Sequence, residues 1–71
     1  MADPNTGPLE GYRLYFLGAT DHIVRCIDLM CEDDDRAVES AGQHGKAARF
    51  AMELWQGARM VKRFEAAELR F

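Results

Sequence analysis

Strand-like patterning, with side chains sorted at every second position, occupies residues 12–30 and 50–64, and between those stretches the spacing widens to that of a helix. Tyr12-Arg13-Leu14-Tyr15-Phe16-Leu17 is rich in aromatic and aliphatic side chains, the composition that favours a strand. Successive strand side chains point to opposite faces, so Tyr12, Leu14 and Phe16 share one face and Arg13, Tyr15 and Leu17 the other. Gly18-Ala19-Thr20-Asp21 supplies turn chemistry, and the run from His22 to Met30 resumes a strand, which predicts a hairpin. In the second run Ile23, Ile27 and Leu29 share a face with Arg25, opposite His22, Val24, Cys26, Asp28 and Met30. Ile27, Leu29 and Cys31 form its core set.

Cys31 to Gly45 is the most helix-like stretch. Asp33 is placed to cap it, because a carboxylate there accepts from the free amides of the first turn. Glu32, Asp34 and Asp35 add negative charge where the helix dipole is positive, so the acidic run has a local explanation. It lacks the alternating ligands, the Gly and the distant Glu of a calcium loop. Ala37, Val38 and Ala41 make a narrow stripe of small apolar residues, which lets a helix lie close on a sheet. Gly45 is the expected left-handed terminator, although Gly42 offers an end one turn earlier.

Phe50 to Trp55 alternates again, with Phe50, Met52 and Leu54 on one side and Ala51, Glu53 and Trp55 on the other. Gln56-Gly57-Ala58-Arg59 reads as a tight turn, and Met60 to Phe64 as the returning strand. Pairing Trp55 with Met60 predicts Glu53 opposite Lys62. The sequence thus predicts an α+β domain of ββαββ order over 12–64, a four-stranded antiparallel sheet with one helix packed on one face. Met1 to Gly11, with its Pro and Gly cluster, reads as a mobile tail, and Glu65 to Phe71 as a terminal turn or tail.

One helix covers one face. The other carries Arg13, Tyr15, Leu17, Val24, Trp55 and Met60, a mixture too apolar to be left entirely in water. A chain of 71 residues buries only about 60% of its unfolded surface, and domains this small recruit a disulfide, a metal or a partner copy. These observations predict a homo-oligomer, with a dimer favoured, whose buried centre includes Trp55 and Tyr15. A partner protein on the same surface is a further expectation.

Charge and candidate chemistry narrow the picture. A net charge of −3 without a basic block disfavours binding by phosphate neutralisation. The alternative reading is a small nucleic-acid-binding protein that stacks bases on Tyr12, Tyr15, Phe16 and Trp55 beside Arg13, Arg25, Arg59, Lys62 and Arg63. Asp21, His22 and Cys26 invite a thiol-enzyme reading, but four residues along a strand span about 13 Å, beyond hydrogen-bond reach. His22, Cys26, Cys31 and His44 contain no Cys-x-x-Cys or His-x-x-x-His pair to seed a zinc site. Cys26 and Cys31 fall on opposite strand faces and are expected as free thiols of a reducing compartment. Gly42 to Gly45 lacks the Lys and Ser/Thr of a phosphate loop. No catalytic residue, cofactor or metal is therefore expected. No apolar run approaches the ~20 residues of a membrane helix, and Met1 to Pro8 lacks the features of a secretory signal, so the cytoplasm is the expected location.

Tyr12 to Leu17, His22-Ile23-Val24, Asp28-Leu29, Cys31, Asp33-Asp34, Ala37 and Glu53-Leu54-Trp55-Gln56-Gly57 together resemble a family of small alpha-proteobacterial proteins to which no activity is attached. The resemblance spans roughly residues 12 to 64. It implies this fold and a bacterial cytoplasmic setting, and carries over no catalytic residue. In that family the turn before the His carries Asp and Gly, where this chain has Gly18-Ala19-Thr20-Asp21.

Overall fold

A computed structural model describes residues 9–65. The elements follow the order strand, strand, helix, strand, strand: β1 (Glu10–Leu17), β2 (Ile23–Cys31), α1 (Asp34–His44), β3 (Met52–Gln56) and β4 (Arg59–Phe64). A short 3-10 turn, Gly45–Ala47, follows the helix. The first strand begins at Glu10, two residues before the aromatic run. Of the tail expected over 1–11, Glu10 and Gly11 belong to β1 and residues 1–8 lie outside the described residues, as do residues 66–71 of the terminal segment expected over 65–71.

All strand pairs are antiparallel, and the order across the sheet is β2-β1-β3-β4. The two hairpins therefore meet through β1 and β3, with β1 at the centre and β2 and β4 at the edges. Between β2 and β3 the helix returns the chain across β1. Tyr12, Leu14, Phe16, Met52, Leu54 and Phe64 turn one sheet face into the core, where they meet Ala37 and Ala41 of the helix. Both alanines are completely buried, so the helix approaches the sheet at a distance only small side chains allow. Ile27, Leu29 and Cys31 pack against this cluster from β2.

Asp33 caps the helix as expected, accepting from the Arg36 amide at 2.8 Å. Asp34 does more than offset the dipole. Its carboxylate accepts from the Tyr12 hydroxyl at 2.9 Å and takes the Arg59 guanidinium in two-pronged fashion at 2.9 and 3.0 Å. The start of the helix is thereby tied to β1 and to the start of β4.

Three local expectations are corrected. Gly45 has a φ of −59° and is right-handed, because the chain tightens into the 3-10 turn and the Gly45 amide donates to the Ala41 and Gly42 carbonyls. Glu53 faces Arg63, not Lys62: the register shifts between Leu54 and Trp55, leaving Val61 as the extra residue of a bulge. A second shift at Phe16/Leu17 pairs Leu17 with Ile23 and makes Val24 extra, so Ile23 leaves the face of Ile27 and Leu29. Asp21 in the loop takes a φ of 60°, a left-handed conformation that Asp tolerates.

Candidate functional site

The sheet face away from the helix is built by alternation along three strands and by the bulge on the fourth. Tyr15 lies opposite Cys26 on one side and Glu53 on the other, while Arg13 lies between Asp28 and Trp55. Trp55 in turn lies opposite Met60, so the bulge at Val61 brings Met60 onto this face. Arg13, Tyr15, Trp55 and Met60, four of the six residues expected on the uncovered face, are thus contiguous. Tyr15 and Trp55 are half-buried and Met60 is exposed. Leu17, paired with Ile23, continues this face beyond Tyr15 at the end of β1, and Val24 is the extra residue of the Phe16/Leu17 irregularity. Leu17 is buried, Val24 is exposed, and both line a different cavity.

Ion pairs hold the polar members in place. Arg13 Nε donates to Asp28 Oδ1 at 3.1 Å across the β1–β2 pair. The Trp55 indole N–H donates to Glu53 Oε1 at 3.0 Å, and Arg63 Nη1 donates to Glu53 Oε2 at 2.7 Å. One carboxylate thus fixes both the tryptophan and the arginine. Arg63 also donates to Glu65 at 2.6 Å and reaches Asp21 at 3.4 Å. The Glu65 bond, together with these other carboxylates, raises the Arg63 guanidinium above its ordinary range. Between β1 and β2, Gly11 leaves a depression of about 450 Å³ flanked by Arg13, Tyr15, Asp28 and Met30.

Cys26, Asp28, Met30, Glu53 and Arg63 also belong to this surface. Alternation along β2 already put Cys26, Asp28 and Met30 on one face. Arg63 needed the bulge, and no local signal in Met60-Val61-Lys62-Arg63-Phe64 announces one.

The other candidate chemistries disperse. Asp21 turns to Arg63 of β4, and the His22 Nδ1 lies 2.6 Å from the Thr20 hydroxyl within the loop, so each has a partner other than Cys26. Cys26 and Cys31 are free thiols, exposed and half-buried respectively. Burial, with the nearby Asp33 charge, pushes the Cys31 thiol up from its ordinary range. Among the described residues no group of three His, Cys, Asp or Glu side chains is gathered as a metal site requires. Among the same residues, no helix is long and apolar enough to cross a membrane. No family model, curated protein or solved structure matches the chain.

Proposed function

We propose that this chain is a non-enzymatic, self-associating interaction module, and that the uncovered sheet face carrying Tyr15, Trp55 and Met60 is its contact surface. The observation that carries the reading is that this face is both apolar and internally neutralised. Arg13 is matched by Asp28, and Arg63 by Glu53. A two-fold interface sets a surface against itself, so a patch with balanced charge meets its copy without net repulsion. The same balance argues against the runner-up, binding of single-stranded nucleic acid, which needs cations free to meet phosphates. Free thiols at Cys26 and Cys31 accord with work in a reducing cytoplasm. The resemblance to small alpha-proteobacterial proteins adds that setting and no activity.

The test is the mass in solution. Light scattering at micromolar concentration is expected to give a dimer, and Trp55→Ala or Met60→Glu a folded monomer. A monomeric parent protein whose stability does not change on dilution overturns the reading. Salt-sensitive binding of a fluorescent oligonucleotide would move the assignment to the nucleic-acid alternative.

A further inference from the structure

Six arginines fall within the described residues, and their partners divide them sharply. Arg13, Arg36, Arg59 and Arg63 each pair with a carboxylate. Among the described residues Arg25 and Arg49 have no such partner, and both line one cavity of about 420 Å³. This cavity lies where the β1–β2 loop meets the segment after the helix, away from the row of Arg13, Tyr15, Trp55 and Met60. No Asp or Glu lines it, in a chain with 12 acidic residues against nine Lys and Arg. His22 adds a third basic side chain to the lining.

The rest of the lining is apolar. Phe16 and Leu17 are buried beneath it, while Val24 and Phe50 stand at its mouth, 59% and 42% exposed. Arg25 lies over the Phe16 ring, 5.5 Å from its centre. A guanidinium over a ring keeps N–H donors for the two-pronged grip on a carboxylate. Gly18 lets the His22 and Val24 side chains of the lining pack against the backbone: a Cβ there would come within 2.7 Å of the His22 ring and 3.0 Å of Val24.

We propose that this cavity binds a small organic carboxylate with an apolar, preferably aromatic, body. Arg25 and Arg49 hold the carboxylate, and Phe16 and Phe50 receive the hydrocarbon. The volume lies in the range of small-molecule sites, and an apolar lining with a few convergent charges is their usual construction. Burying the ring supplies affinity, and the two guanidinium groups supply the selection for an anion. The proposal does not rest on the self-association reading, since none of Tyr15, Trp55 and Met60 lines this cavity.

The experiment is an NMR titration of amide shifts in the full chain with phenylacetate, its neutral analogue phenylacetamide, and acetate. Saturable shifts at Arg25, Arg49 and Phe50 with phenylacetate are expected, with at least tenfold weaker binding of both other probes. Arg25→Gln with Arg49→Gln is expected to lose at least tenfold in phenylacetate affinity, and Arg36→Gln, outside the cavity, to lose nothing. Both altered arginines are exposed, and a retained spectrum verifies folding. Should the double variant lose its fold, Val24→Glu, which places a carboxylate at the cavity mouth, is expected to give the same loss. Equal binding of phenylacetamide, shifts centred elsewhere, an unaffected variant, or no saturation by millimolar phenylacetate overturns the assignment.

Discussion

The Tyr12 hydroxyl donates to Asp34 Oδ1 at 2.9 Å, joining the central strand to the first turn of the helix across 22 positions of sequence. Arg59 closes on the same carboxylate from the start of β4. Three hydrogen bonds from two distant elements converge on this one carboxylate, which marks it as a clamp of the fold.

The clamp makes stability depend on pH at both ends of the scale. Burial, reinforced by the Asp34 bond, pushes the Tyr12 phenol up to about 12 from an ordinary value of 10.0. The folded state thus holds that proton more tightly, and the resulting stability is present below pH 10 and lost as pH rises toward about 12. The Arg59 bonds, followed by the Tyr12 bond, lower the Asp34 carboxyl below the usual range. Its contribution is present above the ordinary aspartate value and lost as pH falls through the folded one. In urea titrations across pH, Tyr12→Phe is expected to flatten the alkaline limb and Asp34→Asn to flatten part of the acid limb.

Trp55 is the single tryptophan of the chain, so its emission reports directly on the uncovered face. If that face closes on a second copy, emission shifts to the blue as concentration rises and the half-buried indole loses its remaining water. Met60→Glu is expected to abolish the concentration dependence without changing the spectrum of the dilute protein. A spectrum that never moves with concentration in the parent protein contradicts closure over Trp55.

Two glycines and an alanine test the backbone and the helix–sheet gap. Gly57 takes a φ of +58° at the start of the β3–β4 turn, so Gly57→Ala is expected to cost about 1 to 2 kcal/mol from conformation alone. Gly42 lies within the helix, and a Cβ there meets nothing within 4 Å. Gly42→Ala is expected to stabilise by about 0.5 to 1 kcal/mol. Ala41 is fully buried against the sheet, and Ala41→Leu is expected to cost about 1 to 3 kcal/mol by overpacking. Denaturant midpoints of the three variants give the comparison.

The two thiols are expected to separate kinetically. Cys26 is exposed, whereas burial of Cys31 disfavours its thiolate. Labelling with a disulfide reagent at neutral pH is expected in two phases, and Cys26→Ser is expected to remove the fast one. A single phase unaffected by that substitution contradicts the difference in environment.

Several features were legible because their causes are local. Alternation at Tyr12 to Leu17 sorts the core face from the uncovered one without knowledge of any neighbour. Asp33 caps the helix through an amide three residues away, and Ala37 and Ala41 announce a close helix by size alone. The face shared by Arg13 and Tyr15 followed from the same periodicity, and the pairing of Trp55 with Met60 from the tight turn between them. Gly45 misled because a glycine permits a left-handed end without requiring one, and the 3-10 turn met its hydrogen-bonding needs otherwise.

By itself, then, the sequence determined the element order, the start of the helix and the sorting of side chains between faces, since each depends on neighbours within a few residues. Only the tertiary structure decided the strand order β2-β1-β3-β4, the bulges that set Arg63 against Glu53 and pair Leu17 with Ile23, and the meeting of Tyr12, Asp34 and Arg59. It alone gathered Arg25 and Arg49 around one apolar cavity. These relations depend on which distant segments share an edge, and on a one-residue slip that reverses the faces beyond it, quantities that no stretch of this chain encodes locally.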